Sequence, residues 1–283
     1  MLCQLAPSPC LKRETVTDMP AYTDPAVEIR PGVFRPDWSA VATEPARRAL
    51  AGRMAARAGL LDKWAVRLEV REDFLWRTIL QLYVDLGRPP KLAEIVSVAG
   101  VGTELTTGLL DILRSRDLIG LDPQSGDIRL AYPFTQDSTG HGVDVKGRSL
   151  QALCAIDALG VGAMYETDVA ISSSCSQCGS MIRARTAGKG RSLQDVVPAE
   201  AVVWYDFAYD GSAATSCCPA ITFFCSGEHL RQWCRAQETQ RVGIDLTVAE
   251  ALEVGRAIFG PVLVERPAAA RSCDGRADDG PSR

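Results

Sequence analysis

Two groups of residues in the second half of this 283-residue chain combine side chains that can bind a metal with one that can move a proton. Cys154 and Asp157 stand three positions apart in the apolar run 149–164, and the adjacent pair Cys217 and Cys218 follows later. The apolar run predicts a helix, which would place Cys154 and Asp157 on one face. If that helix is buried, desolvation raises the pKa of the Asp157 carboxyl, so it could carry a proton to a reaction. The same spacing would also arise without any chemistry, if Cys154 only packed as a small hydrophobic residue and Asp157 only capped a neighbouring backbone amide.

Two converging thiolates and one carboxylic acid suit a soft, thiophilic metal of low coordination number. One thiol of the Cys217–Cys218 doublet can face Cys154 while the other points away, because adjacent side chains diverge in an extended segment. The set has no imidazole base, which argues against Ser-His or Cys-His hydrolysis, and it is no Cys-x-x-Cys redox pair. Cleavage of a mercury–carbon bond fits these groups: thiolates donate electron density to mercury, and the acid protonates the departing carbon.

Three motifs follow one another along this part of the chain. They are residues 150–161 (LQALCAIDALGV), 171–175 (ISSSC) and 216–224 (SCCPAITFF). In their order and separations they resemble the motifs of the alkylmercury lyases, also called organomercurial lyases. The likeness covers about residues 70–262, and it implies that family's fold, including an N-terminal three-helix lobe of winged-helix type.

The resemblance also implies roles for single residues. Cys154 and Cys217 would be the catalytic thiols that hold the mercury, and Asp157 would handle the proton. Cys175 matches a cysteine that is structural in the family, and Cys218 matches the second residue of the doublet. One thiol would attack the organomercurial and pass its proton through Asp157 to the leaving carbon. The hydrocarbon would be released, and Hg(II) would stay on the two sulfurs until a cellular thiol or a mercuric reductase accepts it, with no resident cofactor required.

A second set of cysteines raises the question of structural zinc. Cys175 and Cys178 belong to a Cys-x-x-Cys-Gly motif, which is half of a typical zinc site. The other ligands would come from among Cys217, Cys218, Cys225 and His229. Cys225 and His229 stand four positions apart across a predicted strand-to-helix junction. A zinc ion bound to Cys217 would exclude the lyase interpretation, because that thiol would no longer be free.

The composition restricts the partners of the protein. With 31 Lys and Arg against 35 Asp and Glu the net charge is −4, so no positive field attracts nucleic acid. No apolar stretch has the length of a transmembrane helix, and the start of the chain lacks the apolar run of a secretory signal. We therefore expect a cytoplasmic protein that acts on a small organomercury compound, with no membrane or nucleic-acid partner. In a reducing cytosol, its ten cysteines favour thiols over disulfides.

The hydrophobic pattern predicts an α+β fold, with an N-terminal three-helix winged-helix-like lobe and a C-terminal small, mostly antiparallel sheet with packed helices. The predicted segments are a disordered leader at 1–36, a winged-helix-like helical domain at 37–136, an alkylmercury-lyase-like catalytic domain at 137–262 and a disordered tail at 263–283. The predicted helices cover 73–86, 91–99, 103–116, 149–164, 228–237 and 247–259. The predicted strands cover 118–121, 128–132, 168–174, 181–186, 202–209 and 221–225.

Two other functions fit parts of this pattern. A winged-helix regulator that responds to metal or redox state through a cysteine-rich sensor domain would bind an operator. The helix over 103–116 argues against it, since its cations Arg114 and Arg116 lie at the C-terminal end, whereas recognition helices read bases with their N-terminal residues. A zinc-binding structural or metal-carrier protein would contain stoichiometric zinc and show no turnover.

Overall fold

A computed structural model of the chain describes residues 24–56, 58–65, 67–237 and 241–265. The helices are α1 (Glu44–Ala56), α2 (Ala58–Ala65), α3 (Val70–Leu86), α4 (Leu92–Ala99), α5 (Thr103–Ser115), α6 (Ala155–Met164), α7 (Gly227–Arg235) and α8 (Val248–Phe259). The strands are β1 (Val27–Arg30), β2 (Val33–Arg35), β3 (Ile119–Leu121), β4 (Ile128–Ala131), β5 (Phe134–Thr135), β6 (His141–Val145), β7 (Arg148–Ala152), β8 (Ala170–Ser174), β9 (Met181–Ala187), β10 (Ser192–Val197), β11 (Val202–Asp206), β12 (Thr222–Phe224) and β13 (Gly243–Thr247). Short 3-10 turns lie at Trp38–Ala40 and Cys218–Ala220.

The predicted α+β class is confirmed, and the main sheet is larger than expected. Its strand order is β10-β9-β8-β6-β7-β5-β4-β3, with every neighbouring pair antiparallel. Strand β5 joins the two halves by pairing with β4 on one side and with β7 on the other, where Phe134 faces Ala152. The predicted domain boundary at 136/137 therefore falls inside one continuous sheet. A second antiparallel sheet has the order β12-β11-β13.

The three helices and the hairpin predicted in the first half form as α3, α4, α5 and β3–β4. Helix α3 begins with a capping box between Glu69 and Glu72 and ends at Gly87, whose φ of 69° requires a left-handed residue. Helices α1 and α2 were missed by the sequence analysis. In the described part of the chain no single helix is long and apolar enough to cross a membrane; α4 and α5 reach that composition together but are bent by 108°.

The predicted leader is wrong for its last part. Residues 1–23 lie outside the described residues. Strands β1 and β2, however, pair as an antiparallel hairpin that contacts the end of α8 and the residues after it. The guanidinium of Arg30 pairs with the carboxylate of Asp73 at 2.8 Å and donates to the carbonyl of Pro261, and that of Arg35 donates to the carbonyl of Ile258 at 2.9 Å. Strands of four and three residues are too short to show a hydrophobic period, so the sequence hid them. Residues 266–283 of the predicted tail also lie outside the described residues.

The predicted helix over 149–164 is instead a strand followed by a helix. Strand β7 ends at Ala152, and α6 begins at Ala155 with Cys154 as its N-cap in extended conformation, at φ −154° and ψ 176°. The amide of Leu153 donates to the carbonyl of Pro133 at 3.0 Å. Leu150 and Ala152 of β7 are buried and apolar, and in the sequence they extend the apolar pattern of α6 without a break.

Helices α6 and α8 approach each other closely through glycines. A methyl group on Gly160 would lie 2.9 Å from the carbonyl oxygen of Gly255 and would overlap the ring of Phe259. A methyl group on Gly255 would lie 2.9 Å from the amide nitrogen of Gly160. The absence of these side chains therefore sets the position of α6, the helix that carries Asp157.

We predict that Gly160→Ala lowers the free energy of unfolding by about 2 kcal/mol, because the added methyl overpacks the α6–α8 contact. Gly108→Ala is the matched control, since that glycine lies inside α5 with nothing within 4 Å of the added carbon. This control should raise stability by about 0.7 kcal/mol through helix propensity. Urea unfolding followed by circular dichroism measures both, and equal effects of the two substitutions would contradict the packing argument.

Candidate active site

Two thiols and one carboxyl meet in the interior of the protein. The Sγ atoms of Cys154 and Cys218 and a carboxylate oxygen of Asp157 all lie within 4.8 Å of one another. The three residues are 1%, 5% and 5% exposed, respectively. The Cys218 thiol donates to Oδ2 of Asp157 at 3.9 Å. We call this set the thiol–carboxyl trio.

Cys154 faces Asp157 because of its place at the start of α6. An N-cap side chain folds back over the first turn, and the amide of Asp157 donates to Sγ of Cys154 at 3.4 Å. Cys154 and Asp157 are therefore brought together as predicted, although Cys154 precedes the helix and does not lie within it. The positive end of a helix favours a thiolate, but burial outweighs it and raises the pKa of Cys154.

The doublet presents Cys218 to the trio in place of the predicted Cys217. Cys217 is the residue before the 3-10 turn Cys218–Ala220, and successive residues of such a turn point about 120° apart. The Cys217 thiol is fully buried and donates to the carbonyl of Ala213 at 3.6 Å. The amide of Cys218 donates to that same carbonyl at 2.9 Å, and the amide of Ala155 donates to the carbonyl of Ile221 at 3.0 Å. These bonds hold the turn against the start of α6 with Cys218 facing inward.

Asp157 has the electrostatics of a proton donor. Desolvation by burial raises its pKa from 3.8 to about 7, a thiolate charge on Cys217 raises it further, and hydrogen bonding to Cys154 and the charges of Arg53 and Arg35 oppose the rise. At neutral pH the carboxyl is therefore populated in both protonation states. A group with this property can accept a proton and pass it on within one reaction.

The thiols of the trio carry protons at rest. Hydrogen bonding to Cys154 and to Cys217, together with burial, raises the pKa of Cys218 well above its usual range. Each buried thiol therefore releases a proton when its sulfur binds a metal. All seven cysteines among the described residues are free thiols.

Asp117 and Tyr132 position the doublet, and the sequence analysis missed both. The carboxylate of Asp117 accepts from the hydroxyls of Tyr132 at 3.1 Å and Tyr209 at 3.2 Å, and from the amide of Ala213 at 2.9 Å. The hydroxyl of Tyr132 accepts from the amide of Ala214 at 2.8 Å. An aspartate after a helix and a tyrosine at a strand end carry no motif, so the sequence contains no signal for this role.

Two arginines and two tryptophans complete the wall of the pocket beside the trio. The guanidinium carbon of Arg35 lies 3.9 Å from the centre of the Trp64 ring and 5.9 Å from that of Trp76. Arg53 donates to the hydroxyl of Tyr205 at 2.9 Å. Further lining residues are Leu60, Leu118, Tyr132, Ile258 and Phe259. The pocket is therefore mainly apolar, with two cations close to the carboxyl.

A second group of metal-ligand side chains lies apart from the trio. One ligand atom each from Cys175, Cys178, Cys225 and His229 lies within 4.8 Å of the others. The predicted association of Cys175 and Cys178 with Cys225 and His229 is thus present in the geometry, whereas Cys217 and Cys218 do not take part. The two sets share no residue, so a metal on this group leaves the trio free.

Comparisons with known proteins agree with one another on what this chain resembles. A family model described as alkylmercury lyase, MerB, matches residues 134–260. The alkylmercury lyase of Bacillus cereus is 28% identical over 217 residues, which cover 76% of this chain and 94% of the relative. The alkylmercury lyase of Staphylococcus epidermidis is 29% identical over 188 residues, covering 66% and 82%.

A solved structure agrees with these relatives. It is described as the crystal structure of the mercury-bound form of MerB2, and it matches with a TM-score of 0.61 and 25% sequence identity over 75% of this chain and 98% of that one. The chain is therefore similar to the alkylmercury lyases in sequence and in fold. The resemblance inferred from the three sequence motifs is therefore confirmed.

We predict a pH dependence of stability that comes from Asp157. The folded protein keeps this proton up to about pH 7, whereas the unfolded chain releases it near pH 4, so wild-type stability falls as the pH rises through that interval. Asp157→Asn removes this titration. The free energy of unfolding of the variant relative to wild type should therefore rise by about 4 kcal/mol at most between pH 4 and pH 7. Urea titrations across this range measure the difference, and a constant difference would contradict the raised pKa.

Proposed function

We propose that the protein cleaves the mercury–carbon bond of an organomercury compound by protonolysis, using Cys154, Cys218 and Asp157. The observation that carries the proposal is the thiol–carboxyl trio, with two sulfurs and a carboxyl within 4.8 Å of one another in a buried pocket. Two sulfurs at this separation can bind one soft metal ion together. The similarity to alkylmercury lyases supports the same reaction.

The first step binds the substrate. The Cys154 sulfur displaces the ligand of an organomercury compound R–Hg–X and forms a bond to mercury, and the thiol proton leaves with X. Cys154 suits this step because the amide of Asp157 donates to its sulfur and stabilises developing negative charge there. The apolar wall with Trp64, Trp76 and Phe259 provides contact area for the organic group.

The second step breaks the mercury–carbon bond. The Cys218 sulfur forms a second bond to mercury, and its proton moves to the Asp157 carboxylate, with which it is already hydrogen-bonded. Asp157 gives a proton to the carbon, and the electron pair of the mercury–carbon bond becomes the new carbon–hydrogen bond. One organomercurial and two thiols thus yield R–H, HX and Hg(II) bound to two sulfurs.

The buried surroundings of Asp157 support this proton relay. A carboxyl with a pKa of about 7 gives its proton more readily than a thiol and accepts one more readily than an ordinary carboxylate. The charges of Arg53 and Arg35 stabilise the carboxylate that is present before the first transfer and after the second. Since Hg(II) would stay on Cys154 and Cys218, turnover requires an acceptor, and we propose a cellular thiol or a mercuric reductase in the cytoplasm.

The second thiol is assigned to Cys218 on geometry, although the motif resemblance implies Cys217. The structure directs the Cys217 thiol to the carbonyl of Ala213, so it contributes packing and electrostatics behind the trio. The lobe of α3, α4 and α5 with the β3–β4 hairpin, which we propose is winged-helix-like, contributes Asp117 and Tyr132, which hold the doublet in this orientation.

We predict that Cys154→Ser and Cys218→Ser each reduce turnover to the rate of a control without enzyme, because one sulfur cannot weaken the mercury–carbon bond sufficiently. Asp157→Ala should lower turnover at least about a hundredfold through loss of proton transfer. The measurement is hydrocarbon released from phenylmercuric acetate in the presence of excess thiol. Cys217→Ser is the matched control, and it should keep most of the activity.

These variants test separately which thiol of the doublet acts and whether the protein uses the lyase mechanism. Full turnover by Cys218→Ser, with loss of turnover in Cys217→Ser, would contradict the assignment of the second thiol. Full turnover by both Cys154→Ser and Asp157→Ala would contradict the lyase mechanism itself. Circular dichroism of each variant separates loss of chemistry from loss of folding.

A further inference from the structure

The cluster of Cys175, Cys178, Cys225 and His229, which we call the Cys3His cluster, has the dimensions of a tetrahedral zinc site. Zinc–sulfur bonds of about 2.3 Å and zinc–nitrogen bonds of about 2.0–2.1 Å place tetrahedral ligands roughly 3.8 Å apart for two sulfurs and roughly 3.6 Å apart for sulfur and nitrogen. The Sγ atoms of Cys178 and Cys225 lie 3.8 Å apart, and Sγ of Cys175 lies 3.6 Å from Nδ1 of His229. Sγ of Cys225 lies 3.0 Å from the same nitrogen.

The first two ligands lie on a tight turn after β8. The amide of Gly179 donates to the carbonyl of Cys175 at 2.8 Å, and the amide of Cys175 donates to the carbonyl of Ser180 at 2.8 Å. Gly179 has a φ of 74°, the left-handed conformation that glycine adopts without strain. This turn directs the side chains of Cys175 and Cys178 to the same side, as a Cys-x-x-Cys-Gly zinc motif requires.

The other two ligands lie at the junction between β12 of the second sheet and helix α7. Cys225 directly follows β12, and His229 lies in the first turn of α7, where its amide donates to the N-cap hydroxyl of Ser226 at 3.3 Å. The Cys175 turn and β12 are also joined by the amide of Ser176, which donates to the carbonyl of Phe223 at 3.1 Å. The four side chains therefore converge from the turn after β8 and from the β12–α7 junction, which a backbone hydrogen bond already joins.

The chemistry of the donor set selects the metal. Three thiolates and one imidazole are soft to intermediate ligands that zinc binds in four-coordinate structural sites, whereas calcium and magnesium require oxygen ligands. Four protein ligands fill a tetrahedron, so no position remains for a substrate.

We propose that Cys175, Cys178, Cys225 and His229 bind one zinc ion as a closed structural site. The ion would link the β8–β9 turn to the end of β12 and to α7. Because β12 directly follows the segment with Cys218, the site would also anchor the far end of the polypeptide that carries the second thiol of the trio. The zinc site goes beyond the proposed lyase function, and its test does not depend on turnover.

Metal analysis of the full chain tests the proposal. Protein purified from zinc-supplemented cells without chelators should contain about one zinc per chain by mass spectrometry of the elements. Cys178→Ser and His229→Ala should reduce that content at least tenfold. Cys154→Ser and Cys218→Ser should leave it unchanged, as should Cys234→Ala, the matched control for a buried cysteine of α7 outside the cluster.

A second measurement keeps the test independent of how the variants fold. Cobalt(II) added to the metal-stripped wild-type protein should give the visible absorption of a tetrahedral site and thiolate charge-transfer bands, which zinc should then abolish. Three outcomes would overturn the proposal: wild-type protein without zinc and without the tetrahedral cobalt spectrum, zinc that is lost in Cys218→Ser but kept in Cys178→Ser, or a Cys178–Cys225 disulfide in the purified protein.

Discussion

The burial of one carboxyl next to two thiols is the constraint on which the arrangement of this protein depends. Desolvation raises the pKa of Asp157 to about 7, and the charges of Arg53 and Arg35 offset only part of this rise. A buried carboxyl lowers the stability of the fold unless it forms hydrogen bonds. Here the amide of Asp157 donates to the sulfur of Cys154, and its carboxyl accepts from the Cys218 thiol. The same burial raises the pKa of both thiols, so the trio holds the protons that the proposed cleavage of a mercury–carbon bond would consume.

The two halves of the chain are both needed to form this setting. The second half supplies Cys154, Asp157 and the doublet, which are the groups that we propose act on mercury. The first half supplies Asp117 and Tyr132, which hold the loop before the doublet, and Arg35 with Trp64 in the pocket wall. The eight-stranded sheet runs through both halves. The orientation of the thiol–carboxyl trio therefore depends on contacts from both halves of the chain.

The cysteines among the described residues divide into two chemical groups. Cys154 and Cys218 lie in a buried pocket with a carboxyl and present two sulfurs, so a metal bound there could still take further ligands and could leave. The Cys3His cluster presents four ligands at tetrahedral spacing and leaves no open position. Both sites would bind a metal through thiolates. The number of ligands distinguishes a site that could release its metal from one that would retain it.

By itself the sequence showed a resemblance to the alkylmercury lyases through three motifs. Its local spacing and periodicity also determined the α+β class, most of the helices after residue 70 and the proximity of Cys154 to Asp157. Only the tertiary structure decided which thiol of the doublet joins them. Cys217 and Cys218 are neighbours in the sequence, and the direction of each side chain depends on a 3-10 turn that the remote Asp117, Tyr132 and Ala155 hold in place. The hairpin at 27–35 and the single sheet across residue 136 were hidden for the same reason: contacts between distant segments stabilise them, and no local pattern records such contacts.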